Sequence, residues 1–388
     1  MLAVVGASLA GLRSAEALRR EGFDGRLVVI GDEDRLPYDR PPLSKQVLAG
    51  TWESEQVALR GADELDAEWM LGRRAAALDV ASRTLTLDNG EQLACDGVVI
   101  ATGATPRTLG DTRELEGVFT LRTLDDCLRL RAVLDKGPRV VVVGAGFIGS
   151  EVASTCRSRG LEVTVLEALP VALDRALGPI VGTVVSRLHA THGVRLRLGT
   201  SVTALEGSRS VEAVRLSDGS VVSADVVVIG VGVAPNTSWL ESSGLGLRNG
   251  VECDARCQAA PGVVAAGDVA RWRNNRFGVD MRVEHWSNAV EQAEAAANTL
   301  LRGASAPEFA PVPYFWSDQY GAKIQCLGQT AGADEVVFVE GSPDSPKWVA
   351  SYGLAGRLIG VVLFNRPGRL VHYRRLIEDG APVPPPDT

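Results

Sequence analysis

The pattern of apolar and polar positions predicts two copies of one strand–turn–helix unit. Leu2–Val5 is a short apolar run typical of a buried strand, and the glycine-containing turn 6–11 and an amphipathic helix to Arg20 follow it. The same order returns as the strand Val140–Val143, the turn 144–149 and a helix through Arg157. Such a unit can bind the pyrophosphate of a dinucleotide at the helix N-terminus, so two dinucleotide sites are predicted.

The segments that follow each unit repeat as well. Residues 87–106 align without a gap with residues 216–235, and each copy has a turn glycine, an Asp six residues later and an apolar strand. Each closing strand leads into a further glycine turn, which we expect to lie beside the nucleotide. The residues predicted there are Thr102 and Gly103 in the first copy and Gly232 in the second.

The three fingerprint positions have different tasks. The first glycine permits a sharp reversal, the second lets the backbone approach a pyrophosphate, and the third lets the helix pack closely on its strand. The second copy has all three glycines and the first copy has a serine at the middle position; the candidates are Gly6, Ser8 and Gly11, then Gly144, Gly146, Phe147, Ile148 and Gly149. The Ser8 hydroxyl is interpreted either as a phosphate ligand or as a helix N-cap.

An acidic residue after the second strand of such a unit selects the ribose. Glu167 follows the strand Val163–Leu166, and its carboxylate accepts hydrogen bonds from a free 2′-hydroxyl but repels a 2′-phosphate. The second site is therefore predicted to prefer NAD(H) to NADP(H). In the first copy the candidate is Asp32, with a solvated loop acid as the alternative.

Length, charge and cysteine usage narrow the class of protein. A chain of 388 residues is long enough for two or three domains. Its net charge of −8 argues against nucleic acid binding, and its apolar runs are too short to span a membrane, so we expect a cytoplasmic protein. The six cysteines include no C-x-x-C pair, so we expect neither a metal site nor a disulfide framework.

Four further motifs carry a family resemblance. They are PYDRPPLSK at 37–45, GDV at 267–269, EHWSNA at 284–289 and FWSDQ at 315–319. Together with the two fingerprints they resemble the FAD-dependent ferredoxin reductases of bacterial oxygenase systems, the family of putidaredoxin reductase, rubredoxin reductase and biphenyl dioxygenase reductase. The resemblance implies an α/β fold with two Rossmann-like domains and a C-terminal α+β domain. FAD would be held by residues 1–108 and 236–310 and NAD(H) by 109–235, with 311–388 as the third domain.

The resemblance also assigns individual residues. Gly6, Ser8, Gly11 and Asp32 would contact the adenosine diphosphate half of FAD, with Ala75 near the adenine. The other FAD-facing residues would be Arg40, Arg122, Asp268 and Trp286.

Chemistry at the flavin is assigned in the same way. Lys45 would lie beside the flavin with Glu151 as its ionic partner, and Trp316 would be the aromatic residue of the third domain near the flavin and nicotinamide. A helix running to Leu301 is predicted to begin at a cap formed by Ser287 or Asn288, with its N-terminal dipole aimed at the flavin.

The loop of residues 39–46, which the resemblance places at the flavin, bears on the identity of the electron acceptor. Residues 39–46 contain no cysteine, so electrons are expected to leave through the flavin to an external acceptor. The resemblance implies that this acceptor is a [2Fe–2S] ferredoxin that feeds a cytochrome P450 or Rieske-type oxygenase. The arginines Arg271, Arg273 and Arg276 are a candidate docking patch, with an ordinary solvated loop as the alternative. Rubredoxin, a quinone or monodehydroascorbate as acceptor, and a redox-regulatory protein resembling apoptosis-inducing factor, remain alternatives. Both a monomer and a homodimer are compatible with the sequence.

Overall fold

The computed structural model describes residues 1–110 and 115–386 and divides the chain into two compact units. The helices are α1 (Leu9–Arg20), α2 (Gln46–Ala49), α3 (Leu124–Leu134), α4 (Phe147–Ser158), α5 (Asp174–Thr191), α6 (Trp286–Arg302) and α7 (Leu370–Glu378). The strands are β1 (Leu2–Val5), β2 (Leu27–Gly31), β3 (Glu68–Leu71), β4 (Ala75–Asp79), β5 (Thr84–Leu87), β6 (Gln92–Ala94), β7 (Gly97–Ile100), β8 (Ala104–Pro106), β9 (Val118–Phe119), β10 (Val140–Val143), β11 (Val163–Leu166), β12 (Arg195–Arg197), β13 (Val202–Glu206), β14 (Ala213–Leu216), β15 (Val221–Ser223), β16 (Val226–Ile229), β17 (Val233–Pro235), β18 (Val251–Cys253), β19 (Gln258–Ala260), β20 (Val263–Ala265), β21 (Ala270–Asn274), β22 (Val279–Met281), β23 (Tyr314–Gln319), β24 (Ala322–Gly328), β25 (Glu335–Glu340), β26 (Trp348–Leu354) and β27 (Arg357–Phe364).

The first unit comprises residues 1–39, 57–105 and 234–313. Its main sheet has the strand order β19-β20-β7-β1-β2-β3, and β1 pairs in parallel with both β2 and β7. Every residue of β1 is buried, which explains why this strand is a continuous apolar run rather than an alternating one. Helices α1 and α6 pack against each other on this sheet. The unit also contains a separate antiparallel sheet, the meander β4-β5-β6.

The second unit comprises residues 40–56, 106–233 and 314–388, apart from the residues outside the described ranges. Its parallel sheet has the order β12-β11-β10-β16-β9 and carries the meander β13-β14-β15. A second, antiparallel sheet has the order β23-β24-β27-β26-β25. Leu177 and Val181 of α5 pack with Ile324 and Trp348 of that sheet in one apolar cluster.

The internal repeat predicted from the sequence is present in the strand register. Val5 lies opposite Ile30 in the first unit, and Val143 lies opposite Leu166 in the second. The strand after each meander pairs in parallel with the strand that precedes the glycine turn: β7 pairs with β1, and β16 pairs with β10. The predicted α/β class, with two Rossmann-like sheets and a smaller third region, is confirmed.

Residues 40–56 group with the second unit, although the sequence expectation assigns them to the FAD domain. The segment is fastened to α3 and α4 by its backbone carbonyls. The Cys127 thiol donates to the Leu43 carbonyl oxygen at 3.1 Å, and the Thr155 hydroxyl donates to the Ser44 carbonyl oxygen at 2.7 Å.

The start of helix α6 differs from the sequence expectation. Helix α6 begins at Trp286 with His285 at the N-cap position, so the prediction of a cap at Ser287 or Asn288 was wrong. The Asn288 side chain is buried instead and donates to the Val283 carbonyl oxygen and to Gln292. The C-terminal region contains strands β23 to β27 and helix α7.

Candidate functional site

The turn between β10 and α4 forms a backbone cradle. A Cβ on Gly144 would overlap the Gly230 carbonyl oxygen, and one on Gly149 would overlap the Gly144 carbonyl oxygen, so chain packing explains both glycines. Gly146 is different, because the nearest atom to a Cβ built there is the Gly230 oxygen at 4.0 Å. The protein itself has room for a side chain at Gly146, and the absence of one fits close approach by a ligand.

The same turn leads into the N-terminus of helix α4, which would bind the anionic pyrophosphate of a ligand. Gly146 is the N-cap of α4 in extended backbone conformation, and the first N–H groups of a helix have no acceptor within it. Ile148 in this first turn is a large apolar side chain with 47% of its surface exposed. An exposed apolar residue next to open N–H groups and a positive dipole end suits a dinucleotide.

The turn between β1 and α1 is built in the same way. A Cβ on Gly6 would overlap the Ala101 carbonyl oxygen, and one on Gly11 would overlap the Gly6 carbonyl oxygen. Ser8 takes the place of Gly146 and is the N-cap residue of α1. Since the middle position is not packed against the chain in the second turn, a serine is sterically acceptable in the first.

The segments that follow the closing strands β7 and β16 are held by hydrogen bonds within each unit. In the first unit the Asn236 side-chain amide donates to the Thr102 carbonyl oxygen at 2.8 Å, and the Thr102 hydroxyl donates to the Asn236 backbone carbonyl oxygen at 2.9 Å. The Asn236 backbone N–H donates to Gly103. In the second unit Gly232 has a φ of 100° and accepts from the Arg107 backbone N–H.

Glu167 lies directly after β11, at the end of the sheet where the turn begins. Its carboxylate accepts the Ala145 backbone N–H at 2.7 Å and the Leu169 N–H at 2.9 Å. Arg197 on the adjacent strand β12 donates to Asp218 at 2.7 Å. The carboxylate is thus fixed beside the glycine turn, and this neighbouring guanidinium is already paired.

The strand register shows that Asp32 and Glu167 are not at equivalent positions in the two copies. Ile30 corresponds to Leu166, so Gly31 and not Asp32 occupies the position equivalent to Glu167. A Cβ on Gly31 would overlap the Ala7 side chain, which explains the glycine. Asp32 is exposed, with its carboxylate 3.8 Å from the Arg74 guanidinium.

The remaining residues expected at FAD are held in two groups. In the first unit the Trp286 indole N–H donates to the Asp39 carboxylate at 2.7 Å, and Ala75 is buried at the start of β4. Asp268 lies in a short 3₁₀ turn, Gly267–Val269. In the second unit the Arg40 guanidinium donates to the Arg122 carbonyl oxygen at 2.6 Å, so these two arginines are neighbours.

His285 lies beside Asp268 in the first unit. Burial lowers the pKa of the His285 imidazole to about 4, against an opposing effect of the Asp268 carboxylate. The ring is therefore neutral at physiological pH, and it does not supply a cationic group there.

The structure brings Lys45 and Glu151 together. The Lys45 ammonium lies 2.7 Å from Glu151 Oε2, and the side chains are 14% and 3% exposed. Lys45 follows two prolines in the 3₁₀ turn Pro41–Ser44, and Glu151 lies in α4, two residues after Gly149. Lys45 and Glu151 therefore form a largely buried ion pair rather than a surface salt bridge, and its carboxylate belongs to the helix that begins at the second glycine turn.

Two serines that the sequence reasoning missed also bind Glu151. Ser44 donates to Oε2 and Ser317 donates to Oε1, both at 2.6 Å. A buried carboxylate needs hydrogen-bond donors, so a buried Glu151 implies that polar residues lie around it. The sequence does not show which residues these are.

Trp316 points away from this cluster. Its neighbours Phe315 and Ser317 face α4, where the Phe315 and Phe147 ring centroids are 4.5 Å apart. Because side chains alternate along a strand, Trp316 faces the other side of the sheet, where it stacks with Tyr314 at 6.0 Å.

The cysteines are chemically quiet. All six lie within the described residues and are free thiols, five of them buried. Burial raises the pKa of Cys127, Cys156, Cys257 and Cys326 to about 12 in each case. These four thiols are protonated at neutral pH and are poor nucleophiles.

The candidate docking arginines are partly neutralised. Arg271 lies 3.2 Å from the Glu252 carboxylate and 3.6 Å from Asp280, and Arg273 lies 3.4 Å from the same Asp280. Arg276 donates to a backbone carbonyl. The local positive charge is therefore smaller than the sequence of the loop suggests.

Residues 1–110 and 115–386 contain neither a membrane-spanning helix nor a cluster of metal ligands. Among these residues there is no helix whose length and hydropathy would let it cross a bilayer. Within the same ranges, no cluster of three or more His, Cys, Asp or Glu side chains could hold a metal ion.

Known proteins share both the sequence and the fold. The pyridine nucleotide-disulphide oxidoreductase family model matches residues 1–293, and the reductase C-terminal model matches 314–388. The chain is 38% identical over 385 residues to the ferredoxin–NAD(+) reductase component of the anthranilate 1,2-dioxygenase system of Burkholderia cepacia, covering 97% of this chain and 94% of the relative. Putidaredoxin reductase of Pseudomonas putida is 34% identical over 395 residues, covering 98% and 92%.

A solved structure extends the likeness to three dimensions. The covalent putidaredoxin reductase–putidaredoxin complex matches with a TM-score of 0.94 at 33% identity, covering 99% of this chain and 94% of that one. Members of this family bind FAD and NAD(H), which the two glycine cradles fit. The chain therefore belongs to the pyridine nucleotide-disulphide oxidoreductases, and within them to the ferredoxin–NAD(+) reductase type that carries a reductase C-terminal domain.

Proposed function

We propose that this protein is an NADH-dependent FAD reductase that passes electrons to a [2Fe–2S] ferredoxin of an oxygenase system. The observation that carries the proposal is the duplicated glycine cradle, with one copy in each compact unit of a single chain. Support also comes from the names of the relatives, which are ferredoxin–NAD(+) reductase components. The cytoplasm, where NADH is available, is the proposed location.

FAD is assigned to the first cradle. Gly6, Ser8 and Gly11 would bind its pyrophosphate, and the other FAD ligands would be Asp32, Arg40, Ala75, Thr102, Gly103, Arg122, Asp268 and Trp286. Bound FAD supplies the chemistry that the side chains lack, since it accepts a hydride from NADH and returns the two electrons singly. This assignment follows the proposed domain division, with FAD on residues 1–108 and 236–310.

NADH is assigned to the second cradle, on residues 109–235. Gly144, Gly146, Phe147, Ile148 and Gly149 would bind its pyrophosphate at the N-terminus of α4, with Gly232 beside them. Glu167 would bind the adenosine ribose, because its carboxylate is fixed by two backbone N–H donors at the edge of this turn. Residues 311–388 form the proposed third domain.

Glu167 gives the first testable prediction. Glu167→Gln removes the negative charge that repels a 2′-phosphate, so kcat/KM for NADPH should rise and kcat/KM for NADH should fall about tenfold each. Steady-state rates with both cofactors measure the change. Glu162→Gln is the control, since this exposed acid pairs with Arg195 and should leave the preference unchanged. An unaltered NADH preference in Glu167→Gln would remove this residue from the ribose site.

Lys45 and Glu151 are assigned an electrostatic role. A largely buried ammonium held by a buried carboxylate keeps a fixed position and a positive charge that bulk water does not screen. Lys45 would present this charge to the bound flavin. Trp316, which stacks with Tyr314 on the other face of the C-terminal sheet, is proposed as the aromatic residue near the flavin and nicotinamide.

The acceptor is proposed to be an external protein because the thiols of the chain are unsuited to redox exchange. A ferredoxin approaching a chain of net charge −8 requires a local positive surface. The loop with Arg271, Arg273 and Arg276 is proposed as part of it, although two of these arginines already share Asp280.

Charge reversal at Arg273 tests the docking surface. In Arg273→Glu the KM for ferredoxin should rise about tenfold at low salt, and the difference from the wild type should shrink as salt is added. Reduction of small artificial acceptors should not change. Arg26→Glu is the control, because Arg26 is also exposed and ion-paired in the first unit, with Glu68 at 2.9 Å. Equal effects of the two variants would mean that the loop is ordinary solvated surface.

A comparison of acceptors tests the proposed function. Purified protein with NADH should show a higher kcat/KM with an oxygenase [2Fe–2S] ferredoxin than with rubredoxin, a quinone or monodehydroascorbate. Slow turnover with every ferredoxin tried would contradict the proposal and favour a regulatory role.

A further inference from the structure

The Glu151 carboxylate has hydrogen-bond donors on both of its oxygens. Oε2 accepts from the Lys45 ammonium at 2.7 Å and from the Ser44 hydroxyl at 2.6 Å, while Oε1 accepts from the Ser317 hydroxyl at 2.6 Å. Ser44 adjoins Lys45 in the chain, but Ser317 belongs to strand β23 of the C-terminal sheet. One donor to this carboxylate therefore comes from a separate part of the second unit.

The direction of the Ser317 hydrogen bond is fixed by its neighbour. The Gln319 side-chain amide donates to Ser317 Oγ at 3.0 Å. A hydroxyl has one hydrogen, and with Gln319 as a donor to the oxygen, that hydrogen is directed to Glu151. Ser317 is fully buried, so its hydroxyl is shielded from bulk solvent. The resulting order of donors is Gln319 to Ser317 to Glu151.

We infer that Ser317 is a positioning residue for the Lys45–Glu151 ion pair, an inference that rests on the proposed function. The terminal torsion of a glutamate is broad, so the carboxylate needs a donor on each oxygen to hold one orientation. Ser317 supplies that donor on the side opposite to Lys45. Besides Glu151, Lys45 Nζ has the Pro41 carbonyl oxygen as a partner, at 3.2 Å. Rotation of the Glu151 carboxylate would therefore move the ammonium.

This arrangement gives the C-terminal sheet a specific task. The Ser317 hydroxyl of this sheet fixes the Glu151 carboxylate in α4. The Glu151 carboxylate in turn fixes the Lys45 ammonium, which is proposed to face the flavin. The Thr155 hydroxyl, also in α4, binds the Ser44 carbonyl oxygen at 2.7 Å and holds the lysine loop to the same helix. Ser317 thus acts on Lys45 through Glu151.

Ser317→Ala tests the inference with a readout other than turnover. The buried Oε1 loses its donor, so the midpoint potential of the bound FAD should become more negative as the ammonium moves. The rate of flavin reduction by NADH should fall about tenfold, while the KM for NADH stays unchanged because the glycine turn is untouched. Ser317→Thr keeps the hydroxyl and should restore most of both values. In a crystal of Ser317→Ala the Lys45–Glu151 contact should be lengthened.

Ser351→Ala is the matched control. Ser351 is fully buried in β26 of the same sheet, and its hydroxyl has no hydrogen-bond partner among the described residues. Its loss should leave the flavin potential unchanged. If Ser317→Ala keeps the wild-type potential and rate, or if both alanine variants change alike, the inference fails. If the wild type cannot reduce ferredoxin but the potential still shifts only in Ser317→Ala, the proposed function fails and the positioning role stands.

Discussion

Replacement of Glu151 by glutamine will slow reduction of the bound FAD by NADH about 100-fold, which corresponds to about 2.7 kcal/mol of activation free energy. The carboxylate accepts from Lys45, Ser44 and Ser317, whereas the amide has one acceptor oxygen and presents its own hydrogens to the remaining donors. Lys45 then loses its counter-charge in a largely buried position. Stopped-flow absorbance under anaerobic conditions measures the rate.

The control for this variant is Glu340→Gln. Glu340 is also a buried carboxylate of the second unit, and it accepts from the Tyr373 hydroxyl and the Arg369 guanidinium, both at 2.8 Å. Its substitution should lower the unfolding temperature but leave flavin reduction near the wild-type rate. A Glu151→Gln variant that is reduced as fast as Glu340→Gln would show that the buried ion pair serves stability alone.

The second large effect is expected from alanine at the third glycine of each turn. Gly11→Ala should yield protein that has lost most of its FAD, whereas Gly149→Ala should retain FAD and show a KM for NADH raised at least about tenfold. In both variants the new Cβ overlaps a carbonyl oxygen of the same turn and forces the helix away from its strand. The FAD content after purification and the KM for NADH separate the two sites.

The hairpin glycines supply matched controls. Gly90 and Gly219 have φ angles of 84° and 82°, with no atom within 4 Å of an added Cβ. Alanine at either position costs conformational strain, about 1 kcal/mol, without changing a turn that binds nucleotide. Loss of FAD from Gly149→Ala but not from Gly11→Ala would reverse the assignment of the two cofactors.

Much of the fold could be predicted because its signals are local. The apolar runs of β1 and β10, the glycine turns and the aligned meander segments each depend on residues close in sequence, and their repetition reinforced the interpretation. The position of Glu167 directly after its strand is equally local. In the first copy Gly31 occupies the position equivalent to Glu167, and the candidate acid Asp32 comes one residue later.

The donors to Glu151 could not be predicted in the same way. Ser44 and Ser317 are 107 and 166 residues away from it in the chain, and only the tertiary fold brings them to its two oxygens. Alternation along β23 indicates that Phe315 and Ser317 share a face, but not which helix that face contacts. The start of α6 was misplaced because Asn288, a common capping residue, has a buried role inside the helix.

The central claim is that one chain accepts a hydride from NADH on its FAD and releases the electrons to a ferredoxin. Anaerobic addition of one equivalent of NADH to the purified flavoprotein, followed by an oxidised [2Fe–2S] ferredoxin, tests it by visible absorbance. The flavin absorbance should be lost on NADH addition and should return as two ferredoxin molecules are reduced per NADH. Flavin absorbance that NADH leaves unchanged, or that ferredoxin fails to restore, would contradict it.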